Sequence, residues 1–106
     1  MQQHTVVITL DAAGNPVPLS ADGTHVETTR RTKRGDQIQW KTSPGTVFVD
    51  FQPTTPFQDG SKGDETFRAL SAEGSFTYHC TVITPDKQRH GWPDNQNGGG
   101  TVEVGG

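Results

Sequence analysis

Residues 74–82 alternate strictly in polarity and contain the only cysteine of the chain. Successive side chains of a β-strand point to opposite faces. One face of the predicted strand therefore carries Phe76, Tyr78 and Cys80, while the other carries Thr77, His79 and Thr81. Such a strand covers a core on one side only. The pattern predicts an all-β protein with the Cys80 thiol on the apolar face, near the end of the strand, where a loop begins.

The composition favours the same class of fold. The chain has 106 residues, the size of one domain, so residues 1–106 are expected to form a single domain. Only 28% of the residues are hydrophobic, and 13 glycines and 7 prolines favour short strands joined by turns. Further strands are predicted at residues 5–10, 17–19, 25–33, 37–41, 46–51, 65–70 and 101–104. Seven to eight short strands at this spacing indicate a Greek-key β-sandwich.

The apolar phase of each strand predicts the core. Val26 is the apolar anchor of residues 25–33, where few other apolar side chains occur. The residues expected to be mostly buried are Ile38, Trp40, Val47, Val49, Phe67, Phe76, Tyr78 and Cys80.

Two motifs and their order resemble the cupredoxin family of blue-copper proteins. The sequence GDQIQW stands early, at residues 35–40, and GSFTYHC stands late, at residues 74–80, followed by a short final strand. The resemblance implies a cupredoxin-like Greek-key sandwich and favours a periplasmic or secreted location. At the start of this chain, however, no basic segment followed by an apolar one is visible, so no signal peptide is predicted there.

The resemblance also implies where a copper ion would bind. The family site uses two imidazoles, a thiolate and a weak axial ligand, usually a thioether. Cys80 matches the cysteine, but Val47 and Ile83 stand where the two histidines are expected, and the only methionine is Met1. We therefore expect no cofactor, with Val47 and Ile83 filling the space around a protonated thiol. The alternative is a copper protein, an electron carrier or metal chaperone, with a remodelled site.

That remodelled site would use Cys80, His79 and His90 as metal ligands. His90 lies ten residues after Cys80 in the sequence, so the chain would have to fold back to bring it close. In a regular strand, His79 points away from Cys80. Solvated surface histidines are the competing interpretation.

Residues 84–100 form a long polar segment that replaces the compact chelating loop of the family. Long loops in small domains are usually functional or disordered. Arg89, His90 and Trp92 are residue types that recognition surfaces favour, so we predict that they bind a partner, either a protein or a small ligand. In the competing interpretation, Trp92 folds onto the end of the sandwich as an internal plug.

Other classes of function have less support. The four cations within residues 30–34 form either an anion-binding patch or a charged edge strand. A net charge of −3 argues against a general nucleic-acid binder, and no apolar stretch is long enough to span a membrane. No carboxylate pair is placed for acid–base chemistry, and Cys80 lacks the exposed, electropositive setting of a nucleophile. We expect that the protein is not an enzyme.

Overall fold

The computed structural model describes residues 2–43, 45–58, 60, 62–93 and 99–106, and these residues form two stacked β-sheets. Within these ranges there are nine strands and no helix. The strands are β1 (Gln3–Leu10), β2 (Pro16–Leu19), β3 (Thr29–Lys33), β4 (Gln37–Thr42), β5 (Thr46–Phe51), β6 (Arg68–Ala69), β7 (Gly74–Ile83), β8 (Arg89–Gly91) and β9 (Gly99–Gly105). Accordingly, no helix in the described ranges is suited to cross a membrane.

The first sheet has the order β2-β1-β4-β6, and the second has the order β3-β9-β7-β5 with β8 paired to β7. The pairs β1–β4 and β3–β9 are parallel, and the other pairs are antiparallel. The all-β sandwich is confirmed. The described part contains more strands than the seven to eight predicted, because β8 forms inside the segment expected to be a loop.

The core lies between the inner faces of the two sheets. Of the eight residues predicted to be buried, seven are: Ile38, Trp40, Val47, Val49, Phe76, Tyr78 and Cys80. The Trp40 ring packs edge-on against Tyr78 and Phe51, with ring centroids 5.4 Å and 5.7 Å away. The predicted strand phases are therefore correct around Trp40 and along β7.

Two apolar predictions were wrong. Phe67 is only partly buried, because β6 spans just Arg68–Ala69 and no regular strand holds Phe67 in an inward phase. Leu70 is buried there instead, and its amide donates to the carbonyl oxygen of Asp36. Val26 is 65% exposed, because β3 begins only at Thr29 and an isolated bridge to Leu19 is its sole ladder contact in the described chain.

The cationic segment is an edge strand, as the second interpretation of it predicted. β3 pairs with β9 on one side and ends the second sheet in the described structure. Arg31 is 87% exposed and pairs with Glu103. Arg30 is largely buried instead; it pairs with Glu27 and donates to the carbonyl oxygen of Thr5. The guanidinium groups of these two arginines therefore lie in different environments, exposed for Arg31 and largely buried for Arg30.

The turn from β3 into β4 is organised by the Asp36 carboxylate. It accepts hydrogen bonds from the amides of Gln2 and Lys33, at 2.9 Å and 3.0 Å, and contacts Nε2 of His4 at 2.9 Å. The contact with His4 and the two amide bonds lower the pKa of Asp36 to about 2. This carboxylate holds the amino-terminal part of β1 beside the start of β4.

Candidate binding site on the outer face of the second sheet

The cysteine strand, predicted over residues 74–82, is not followed by an open loop. β7 continues to Ile83, the chain turns through residues 84–88, and β8 returns along β7. The amide of Thr84 donates to the carbonyl oxygen of Gln88 at 3.0 Å, and the Thr84 carbonyl accepts from the amide of Lys87 at 2.8 Å. The first part of the predicted loop at 84–100 is therefore a β-hairpin. Residues 94–98 of that prediction lie outside the described residues.

The pairing of β8 with β7 determines which way each hairpin side chain points. His90 is opposite Val82, so it shares the inner face of the sheet with this core residue. Its ring lies against Gly14, where a Cβ atom would come within 3.3 Å of Nδ1. Arg89 is opposite Ile83 and points to the outer face. The three residues predicted to bind a partner are therefore divided between two faces.

Gly91 redirects the chain so that Trp92 reaches the outer face. In a regular strand Trp92 would point to the same face as His90. Gly91 has φ = 94°, a backbone conformation that breaks the alternation and that glycine adopts without strain. A Cβ at this position would clash with the carbonyl oxygen of Cys80 and lie 2.8 Å from Cγ of Pro16. A glycine is therefore required at position 91 for two reasons: φ is positive, and the backbone of β7 lies too close for a Cβ atom.

Trp92 makes three contacts with β7, one through its indole ring and two through its backbone. It stacks on the His79 imidazole with ring centroids 4.5 Å apart and planes at 16°. Its amide donates to the carbonyl oxygen of Cys80 at 3.0 Å, and its carbonyl accepts from the hydroxyl of Thr81 at 2.5 Å. Nδ1 of His79 is buried, with no hydrogen-bond partner among the described residues. Packing against the indole is therefore the main contact that orients the His79 ring.

A groove of about 580 Å³ lies beside this stack on the outer face. Phe48 is 42% exposed there, and the carboxylate of Asp50 pairs with the ammonium group of Lys62 at 3.0 Å. The groove is lined by Phe48, Asp50, Gln52, Lys62, Thr81, Ile83, Arg89, Trp92 and Pro93. It combines apolar and aromatic walls with a few charged groups, which is the usual composition of a ligand site.

Sequence reasoning found only part of this groove. Arg89 and Trp92 were predicted, whereas Phe48, Asp50 and Lys62 were not. The alternation of β5 predicted the outward phase of Phe48, but a single exposed apolar side chain is common on protein surfaces and does not by itself indicate a binding site. The position of Lys62 comes from a long connection and has no comparable signal.

The Cys80 thiol lies in the core of the sandwich. The thiol is fully buried, and burial raises its pKa to about 12, so it is protonated at neutral pH. Val47 is buried, as predicted. Ile83 does not fill the space around the thiol: it points to the outer face and lines the groove, because β7 stays regular beyond Cys80.

The three residues of the predicted remodelled site do not share one face of the sheet. Cys80 lies on the inner face of β7 and His79 on the outer face, while His90 packs against Gly14. In the part of the chain that the structure describes, no three His, Cys, Asp or Glu side chains form a group suited to a metal ion. The described residues therefore do not fit the ligand set of a blue-copper site.

The comparisons with known proteins bear on the fold. No protein-family model matches the chain, and no curated protein matches it significantly. A solved structure, the pseudoazurin from Sinorhizobium meliltoi, matches with a TM-score of 0.57 and 16% sequence identity over 100% of this chain and 76% of that chain. At this identity the likeness extends to the fold alone. The chain is therefore a cupredoxin-like β-sandwich.

Proposed function

We propose that this protein is a binding module built on a cupredoxin-like sandwich, and that it takes its partner in the outer-face groove beside the β7–β8 hairpin. The observation that carries the proposal is the convergence of Arg89 and Trp92 on one groove that also includes the partly exposed ring of Phe48. Binding, rather than catalysis, is the role proposed. His90, which lies on the other face, is not part of this proposed surface.

The arrangement of Trp92 supports a role in recognition. The stack on His79 and the two backbone hydrogen bonds to β7 hold its indole before any partner arrives. A side chain that is already ordered loses less conformational entropy on binding, so more of its contact energy contributes to affinity. Tryptophan and arginine are also frequent among the residues that dominate binding energies.

The setting of Cys80 supports the proposal over the copper-binding alternative. A thiol must lose its proton to ligate a metal ion, and burial among hydrocarbon side chains opposes that loss. In an electron carrier or metal chaperone with a remodelled site, His79 would have to reach the Cys80 thiol from the opposite face of β7. We therefore place the functional surface on the opposite face.

The experiment measures groove occupancy and copper binding on the same preparation. Indole serves as a neutral aromatic probe and is titrated into isotope-labelled protein, with the Trp92 indole N–H and the Ile83 methyl groups observed by NMR. We expect shifts at these groups and an affinity loss of about tenfold in Trp92→Ala. Val26→Ala is the matched control, since it removes an exposed apolar side chain that does not line the groove.

Two results would overturn the proposal. The first is the absence of any shift at the Trp92 indole and Ile83 methyl groups in the unmodified protein, or an unchanged indole affinity in a folded Trp92→Ala variant. The second is an intense thiolate-to-copper band on adding Cu(II), absent from Cys80→Ala. That band would favour the copper alternative.

A further inference from the structure

We infer that the groove beside the β7–β8 hairpin selects a small aromatic carboxylate, with the ring between Phe48 and Trp92 and the carboxylate on Arg89. This inference rests on the proposed function and adds to it the chemical class of the ligand. It uses three observations: the spacing of the two aromatic side chains, the charges around the groove, and the size of the groove.

The register of the sheet places an aromatic residue on each side of Thr81. Phe48 on β5 is opposite Thr81, and Gly91 on β8 is opposite Thr81 from the other side, with Trp92 next along the chain. Neighbouring strands lie about 4.8 Å apart, so the backbones of β5 and β8 are about 10 Å apart across this row. Ile83 continues the floor beyond Thr81 on the same face. A flat apolar group fits between these walls.

The charges in the groove favour one negative charge on the ligand. The ammonium group of Lys62 is already paired with the carboxylate of Asp50, at 3.0 Å. Arg89 is exposed, and no ion pair in the described ranges involves it. Its planar guanidinium can donate two parallel hydrogen bonds to a carboxylate. The carboxylate of Asp50 disfavours a more highly charged anion by repulsion.

The position of Arg89 fits this combination of an apolar body and a single acid group. Arg89 is opposite Ile83 in the hairpin, so its side chain stands beside the apolar floor. A volume of about 580 Å³ lies within the range of small-molecule sites.

The test compares two probes that differ only in charge. Naphthalene-2-carboxylate and naphthalene-2-carboxamide share the same ring, and each is titrated into the full chain with NMR observation of the Trp92 indole and the Ile83 methyl groups. We expect the carboxylate to bind about tenfold more tightly than the amide, because one charge-assisted bidentate contact is gained. This preference should weaken as salt is added, because Arg89 is exposed.

Two arginine variants test whether Arg89 causes the preference for the carboxylate over the amide. Arg89→Gln should bring the affinities of the two probes within about twofold of each other, chiefly by weakening binding of the carboxylate. Arg31→Gln is the matched control, since Arg31 is 87% exposed on the edge strand β3 and does not line the groove. It should leave the tenfold preference intact. A preference that survives in Arg89→Gln, or disappears in Arg31→Gln, overturns the inference.

The remaining outcomes separate this inference from the proposed function. Equal binding of carboxylate and amide, with shifts at Trp92 and Ile83, overturns the carboxylate class but retains the groove as a binding surface. If indole shifts the groove resonances and neither naphthalene probe does, the ligand class is again wrong and the groove is retained. If none of the three probes shifts them, or if the affinities are unchanged in a folded Trp92→Ala variant, both proposals are wrong.

Discussion

The two faces of β7 show how differently one strand can be used. On the inner face, Phe76, Tyr78, Cys80 and Val82 are all at most 6% exposed and pack within the sandwich. On the outer face, His79, Thr81 and Ile83 are only partly covered, and what covers them is the β8 segment and Trp92. The inner face is built by alternation and burial, whereas the outer face is built by a strand that folds back along β7 and by a break in alternation that Gly91 permits.

Each face of β7 is in contact with one of the two tryptophans. Trp40 is fully buried between the sheets and contacts Tyr78 and Phe51 edge-on. Trp92 is partly exposed and stacks on His79 outside the sandwich. If the comparison is right, one ring mainly stabilises the fold and the other mainly provides a binding surface.

The largest expected effect comes from truncating the inner tryptophan. Trp40→Ala should lower the free energy of unfolding by about 3–5 kcal/mol, because it removes buried contacts and leaves a cavity. Trp92→Ala should lower it by about 1 kcal/mol, the scale of one ring-stacking contact at a partly exposed site. Urea unfolding measures both values. Equal losses would remove the distinction between the faces, and Trp40→Phe provides a milder inner variant if Trp40→Ala does not fold.

A glycine pair tests how the outer face is assembled. Gly91→Ala should cost about 3 kcal/mol, because the new Cβ adds a clash with β7 to the strain of a positive φ. Gly35→Ala is a matched control: Gly35 has the same φ of 94°, but a Cβ there has nothing within 4 Å. It should cost about 1 kcal/mol, the conformational part alone. Thermal unfolding and the NMR signals of Trp92 measure the two effects.

Similar losses in the two glycine variants would show that the close approach of Gly91 to β7 has little energetic weight. An unmoved Trp92 signal in a folded Gly91→Ala protein would show that the glycine is not what places the indole on the outer face.

At neutral pH, the smallest effect concerns the thiol on the inner face. Cys80 should react slowly with a thiol reagent at pH 8 in the native protein and rapidly in urea, since the buried thiol is protonated and inaccessible. Its pKa rises from a model-compound value of 9.0 to about 12 in the folded chain. Between these values the unfolded chain loses this proton and the folded chain retains it, so stability should fall as the pH rises from 9 to 12. Rapid native labelling would contradict the assignment of Cys80 to a closed inner face.

Cys80→Ala is the control for the alkaline effect. It should cost about 1 kcal/mol at neutral pH, a typical loss for a small buried side chain. Its unfolding free energy should then decline less steeply above pH 9 than that of the unmodified chain. Parallel declines would assign the alkaline loss to other groups.

The sequence predicted those parts of the fold that depend on alternation. The inward phases of Ile38 and Trp40 in β4 and of Phe76 and Tyr78 in β7 follow from period-two patterns that are long enough to be unambiguous. Phe67 was assigned wrongly because its pattern was short and weak. The face of Ile83 was assigned wrongly because the predicted strand stopped at residue 82 and the resemblance placed Ile83 at a ligand position beside Cys80.

By itself, the sequence determined that this chain is an all-β sandwich with Cys80 on an apolar face, because side-chain alternation is a local property of a strand. The tertiary structure decided where the candidate site lies. β8 is three residues long without an apolar pattern, so it is a strand only through its pairing with β7. Trp92 reaches the outer face only because Gly91 breaks the alternation beside β7. The groove depends on contacts between residues far apart in the chain, such as Asp50 with Lys62 and His79 with Trp92, which no local pattern specifies.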